Sequence, residues 1–80
     1  MEAAVGMMVA ARKSGETQNE VRYEFGLDRR FDRMLTIDKR TGEMTPEDGR
    51  FDSAAGAIVS KVRRSCQDSG EFPAGVVFSS

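Results

Sequence analysis

Five acidic residues near the middle of the chain could bind a divalent cation through their carboxylate oxygens. They are Asp38, Glu43, Glu47, Asp48 and Asp52. Their spacing does not match the Asp-x-Asp-x-Asp-Gly order of a calcium-binding loop, and three basic residues lie among them. The pattern is more typical of a solvated hairpin followed by a helix cap. A carboxylate-based cation site or enzyme is therefore kept as a second alternative.

A basic group precedes this acidic segment. Arg29, Arg30 and Arg33 flank Phe31. Guanidinium groups bind phosphates and an aromatic ring can stack on a base, so a hairpin tip of this composition could bind nucleic acid. Two neighbouring aspartates offset most of the local charge, and the net charge of the chain is −1. Nucleic-acid binding through these three arginines is therefore the first alternative and not the leading hypothesis.

Several kinds of catalytic site are excluded by composition. The chain contains no histidine, which removes the commonest general base and metal ligand at neutral pH. Triads of the Ser-His-Asp or Cys-His kind cannot form within one such chain. Cys66 is the single cysteine, so an internal disulfide or a multi-cysteine metal site cannot form either. We therefore expect no catalytic residue and no cofactor, and we predict that the protein is not an enzyme.

The clearest structural pattern lies between Val21 and Leu27. Apolar side chains at positions 21, 23, 25 and 27 alternate with charged residues or glycine. This alternation predicts a strand with one buried and one solvent-exposed face. Further strands are predicted around residues 31–37, 43–45 and 75–79. A single helical turn is predicted to follow Thr45-Pro46, where a hydroxyl cap precedes proline and two acids.

The main helix is predicted from about Asp52 to Ser69. Ala55, Ile58, Val62 and Cys66 form its apolar stripe. Asp52 is the expected N-cap, and Gly70 is expected to end the helix in a left-handed conformation. The predicted core contains Val21, Tyr23, Phe25, Leu35, Ile37, Ile58 and Val62. The β-β-β-α-β order predicts one small α+β domain spanning residues 1–80, in which one amphipathic helix packs on one face of an antiparallel sheet.

Residues 1–11 fit either a strand or a helix. Alternation of Val5, Met7 and Val9 favours a strand, which we expect to lie at an edge of the sheet. No charged residue falls between Ala3 and Ala11, although sheet edges usually carry such a residue against unwanted pairing. The predicted protein interface is therefore formed by Val5, Met7, Met8 and Val9.

The leading hypothesis is a small non-catalytic protein–protein interaction module that self-associates as a dimer. A chain of 80 residues buries a thin core, and joining two copies would bury additional apolar surface. No apolar run approaches the roughly 18 residues that span a bilayer, so no membrane partner is expected. The start of the chain lacks the basic residues of a secretory signal. Together with the single thiol, this predicts a cytoplasmic location.

Overall fold

A computed structural model describes residues 8–79 of the chain. The elements follow one another as β1 (Met8–Glu16), β2 (Glu20–Leu27), β3 (Arg33–Asp38), β4 (Met44–Pro46), α1 (Ser53–Ser69) and β5 (Gly75–Ser79). The five strands form one antiparallel sheet in the order β4-β3-β2-β1-β5. Helix α1 packs on one face of this sheet. The predicted α+β class, antiparallel sheet and covering helix are thus confirmed.

The core is formed where the alternating face of the sheet meets the apolar stripe of α1. In the β2–β3 pair, Val21 lies opposite Ile37 and Tyr23 lies opposite Leu35. Because side chains alternate between faces along a strand, these four point toward the helix together. Every residue of the predicted core is fully buried, and Val9 and Ala55 are buried with them.

Both predicted ends of α1 are confirmed. The Asp52 carboxylate accepts a hydrogen bond from the backbone N–H of Ala55 at 3.1 Å, which satisfies one of the donors left free at a helix start. Gly70 has φ 78°, and its N–H donates to the carbonyl of Cys66 at 2.7 Å. This left-handed residue ends the helix without the steric cost that a Cβ would carry.

The prediction of a helical turn after Thr45 is wrong. Pro46 ends strand β4, where it lies opposite Leu35 and is buried. The chain then turns, with the N–H of Gly49 donating to the Pro46 carbonyl at 3.1 Å and Gly49 at φ 77°. A left-handed glycine so soon after the proline prevents the turn from continuing as a helix. Pairing with β3 therefore outweighs the local capping pattern.

The prediction that the N-terminal segment is an edge strand is also wrong. Strand β1 lies inside the sheet, with β2 on one side and β5 on the other. The physical reason is the return of β5 beside β1, which places Phe78 opposite Val9. Val9 is fully buried within its own chain and Met8 is half-buried. Val5 and Met7 lie outside the described residues.

A buried tyrosine fixes the loop that leads into β5. The Tyr23 hydroxyl donates to the carbonyl of Pro73 at 2.6 Å. Burial raises the pKa of Tyr23, so the hydroxyl stays protonated and keeps its donor at ordinary pH. Phe72 packs against the same core. The loop before β5 is therefore held to the core by two contacts: the packing of Phe72 and the hydrogen bond to the Pro73 carbonyl.

Glu16 joins the β1–β2 hairpin to the β3–β4 hairpin. Its carboxylate accepts from Lys13 Nζ and from Lys39 Nζ, each at 2.7 Å. The hydrogen bond from Lys13, followed by the one from Lys39, lowers the pKa of Glu16 from 4.5 to about 2.

We expect this connection to make the fold sensitive to acid. Because the pKa of Glu16 is lower in the folded chain than in the unfolded one, its stabilisation is complete above pH 4.5 and is lost as the pH falls toward 2. Replacing Lys39 with Met should lower the melting temperature at neutral pH. The substitution should have a smaller effect near pH 2, where Glu16 becomes protonated. Thermal melts of both proteins across this range check the prediction. A difference in melting temperature that does not change with pH would contradict it.

Candidate functional site

The two edges of the sheet differ in how well they are protected. The β4 edge is three residues long and ends at Pro46. Short strands and proline both discourage pairing with another chain. The β5 edge has five residues, Gly-Val-Val-Phe-Ser, with neither a charged residue nor a proline. Among the described residues its neighbour in the sheet is β1 alone, and the opposite side of β5 is called the free edge below.

The backbone of β5 directs alternate residues toward the free edge. Lys13 N–H donates to the carbonyl of Ala74 at 2.8 Å. In an antiparallel pair, residues alternate between exchanging hydrogen bonds with the neighbouring strand and pointing away from it. Val76 and Phe78 therefore face β1, opposite Ala11 and Val9. The N–H and C=O groups that point to the free edge are those of Gly75, Val77 and Ser79.

Apolar side chains line this edge on both faces of the sheet. Val77 projects on the face away from α1 and is 45% exposed. Val76 and Phe78 lie on the helix-covered face and are half-buried. A groove of about 280 Å³ runs between α1 and the edge, lined by Lys61, Arg64, Ser65, Asp68, Val76 and Val77. Within residues 8–79, the edge thus combines backbone groups that point away from β1 with apolar side chains, which is the combination that strand addition uses.

Arg33, a candidate residue of the nucleic-acid alternative, makes its contacts within its own chain. Its guanidinium donates from Nε to Asp48 at 2.8 Å and from Nη1 to Asp52 at 2.9 Å. It also donates from Nη2 to the carbonyl of Arg50 at 2.8 Å, and it lies over the ring of Phe25, 4.7 Å from the ring centre. Its side chain is only 15% exposed. Arg33 therefore connects β3 to the start of α1.

Arg29 and Arg30 lie in the loop between β2 and β3, and both are exposed, whereas Arg33 begins β3 and is only partly exposed. Arg29 has φ 62°, and Phe31, in the same loop, has φ 51°. The ring of Phe31 is covered by the guanidinium of Arg12, 4.2 Å from its centre, so this face of the ring is not open for stacking on a base. Arg30 and Arg33 line a common cleft, but Arg29 does not line it and the Arg33 side chain is mostly buried, so the three arginines do not form one exposed surface.

A cleft of about 510 Å³ lies beside this loop and contains side chains of both charges. The arginines that line it are Arg30, Arg33 and Arg50, and the acids are Asp28, Asp32, Asp48 and Asp52. The guanidinium of Arg33 lowers the pKa of both Asp48 and Asp52 and is the largest cause in each case. These charges largely offset one another, so the cleft has no strong preference for an anion or a cation.

Two further members of the acidic cluster, Asp38 and Glu47, also accept hydrogen bonds within the chain. Asp38 accepts from the N–H of Arg40 at 2.8 Å and stabilises the β3–β4 turn. Glu47 accepts from Arg22 and from the Thr36 hydroxyl. Across residues 8–79, no three acidic or cysteine side chains converge in a way that could hold a metal ion. The geometry of these residues gives no support to the cation site that was kept as the second alternative.

Cys66 lies on the apolar stripe of α1 and packs against the core while remaining half-buried. Burial raises the pKa of its thiol. A raised pKa disfavours the thiolate, which is the reactive form of cysteine. The thiol thus has the environment of a structural residue.

Sequence reasoning missed the free edge of β5, although the necessary signal was present. The uncharged strand at 75–79 was predicted, and the absence of a protective charge is visible in the sequence. The order of the strands in the sheet could not be predicted, because it depends on contacts between distant parts of the chain. The same criterion of an unprotected edge was therefore applied to residues 1–11.

Comparisons with protein families, with curated proteins and with solved structures find no match for this chain. Residues 8–79 contain no helix with the length and apolar character needed to cross a membrane.

Proposed function

We propose that this protein is a non-catalytic protein–protein interaction module that binds an extended polypeptide strand along the free edge of β5. The observation that carries the proposal is the outward direction of the backbone groups of Gly75, Val77 and Ser79 on an edge without charge or proline. Strand addition satisfies such groups with main-chain hydrogen bonds, and side-chain pockets beside the edge supply specificity.

Energetic considerations support this type of binding over ligand binding in the charged cleft. Each main-chain hydrogen bond would contribute only about 0.5–1.5 kcal/mol net to the binding free energy, so several must form together. Burial of Val77, which is 45% exposed, would add to them through the hydrophobic effect. In the cleft, by contrast, Arg33 already donates to the carboxylates of Asp48 and Asp52 and to a backbone carbonyl, so it has fewer donors left for a ligand.

The proposed interface differs from the one predicted by sequence. Self-association remains part of the proposal, but Val9 is buried in its own core, so the interface is assigned to β5 and not to residues 5–9. A cytoplasmic location also remains a proposal and is supported by the single unpaired cysteine. Nucleic-acid binding remains an alternative and would now depend on Arg29 and Arg30, because Arg33 is held by Asp48 and Asp52.

A proline at position 77 tests strand addition. Val77→Pro removes an N–H that points to the free edge, and edge strands tolerate proline where the N–H faces solvent. Val77→Thr is the matched control, because it keeps both the donor and the branched shape. A displayed library of random extended peptides should yield binders to the wild type and to Val77→Thr, and these binders should lose affinity for Val77→Pro by at least about tenfold.

Amide hydrogen exchange locates the bound peptide. The amides of Gly75, Val77 and Ser79 should become protected when a selected peptide binds, while those at the β4 edge should not change. Equal binding by the proline variant, or protection confined to another part of the sheet, would contradict the proposal.

A further inference from the structure

We propose that the strand bound by β5 is β5 of a second copy of this chain, paired antiparallel about a two-fold axis at Val77. This inference rests on strand addition at the free edge and names its partner. It follows from the sequence of β5, from the direction of its backbone groups and from the charges on the neighbouring surface of α1.

The backbone fixes the position of the axis. In a symmetric antiparallel pair, the residue on the axis faces itself, and it can exchange hydrogen bonds only if its N–H and C=O point outward. Val77 is the central residue that meets this condition, and the same arrangement pairs Gly75 with Ser79 of the second copy. About six main-chain hydrogen bonds can then form. An axis at Val76 or Phe78 would use groups that already face β1.

The side chains of β5 are complementary in this register. Val76 of one copy lies opposite Phe78 of the other on the helix-covered face. Pairs of a β-branched residue with an aromatic residue are favourable across strands. The two Val77 side chains meet on the opposite face, where each is 45% exposed in the single chain. The small residues Gly75 and Ser79 fall at the ends, where they cause no steric conflict.

The surface of α1 beside the groove adds complementary charge. Lys61, Arg64 and Asp68 line the same groove as Val76 and Val77. A two-fold axis at Val77 sets the two helices side by side and antiparallel, because α1 lies above β5 and β1. Lys61 of one copy then approaches Asp68 of the other, twice by symmetry. The two Arg64 side chains come near the axis, where the Asp68 carboxylates offset their repulsion.

The molar mass in solution, measured by light scattering from low to high micromolar concentration, tests the pairing. The wild type and Val77→Thr should form a dimer, and Val77→Pro should raise the dissociation constant at least about tenfold. Lys61→Asp should weaken the dimer about threefold to tenfold. The double variant Lys61→Asp, Asp68→Lys restores opposite charges across the axis and should recover the wild-type constant.

The outcomes separate this inference from the proposed function. A wild-type chain that stays monomeric at high micromolar concentration but binds extended peptides at β5 would overturn the self-pairing and leave strand addition intact. A dimer that is insensitive to Val77→Pro would place the interface elsewhere and overturn the inference. Failure of the double variant to recover the dimer would overturn the two-fold arrangement of the helices.

Discussion

Replacing Ile58 with alanine is expected to lower the free energy of unfolding by about 2–5 kcal/mol. Ile58 is fully buried and belongs to the core that α1 forms with the sheet. Its truncation removes apolar contacts and leaves a cavity that a close-packed core refills only in part. The total free energy of unfolding expected for a chain of this length is roughly 4–12 kcal/mol, at about 0.05–0.15 kcal/mol per residue. The loss is therefore a large share of the stability.

Urea denaturation followed by circular dichroism measures this effect. Ser60→Ala is the control, because Ser60 lies two residues along the same helix and is exposed. Both variants should be measured at one low protein concentration, since association would add to the apparent stability. An Ile58→Ala midpoint equal to that of the control would contradict the assignment of this residue to the core.

Replacing Gly26 with alanine is expected to cost about 1–3 kcal/mol, the usual range for inserting atoms into a packed site. Gly26 is buried in β2, directly beneath the loop that connects β2 to β3. A Cβ at this position would lie 2.8 Å from Asp32 Oδ1 and 3.0 Å from the backbone nitrogen of Phe31. Moving the aspartate alone would leave the backbone contact, so the loop itself must shift.

Gly15→Ala is the matched control. Gly15 also lies in a strand, but a Cβ added there would meet no atom within 4 Å beyond its two chain neighbours. The control should melt at or near the wild-type temperature, and Gly26→Ala should melt well below it. The Gly26 substitution should also change the chemical shifts of residues 28–32, because the loop is displaced. Equal melting of the two variants would mean that the loop does not pack on Gly26.

Local patterns were sufficient to predict most of the individual elements. The alternation from Val21 to Leu27 gave the β2 strand, and the stripe through Ile58 and Val62 gave the helix. Asp52 and Gly70 marked the helix ends, because caps depend on backbone geometry within one turn. These features depend on neighbours in sequence, and this is the reason they could be predicted without the fold.

Features that depend on distant contacts could not be predicted in this way. Arg33 was grouped with Arg29 and Arg30 in the nucleic-acid alternative, because its partners Asp48 and Asp52 lie far along the chain and could not be identified from the sequence. The place of β1 inside the sheet depends on β5, which joins it from the other end of the described chain. The criterion of an unprotected edge was physically sound, but the strand to which it applied could be identified only from the topology.

The short β4 strand limits how far the sheet can extend. Two-fold pairing uses the same surface on both copies, so it consumes the β5 edges and leaves a β4 edge at each end. Pro46 and the three-residue length of that strand resist further addition. The sheet would therefore end after two copies, whereas a protein with two unprotected sheet edges could polymerise into cross-β fibres. The chain could therefore carry an apolar edge for association with little risk of amyloid growth.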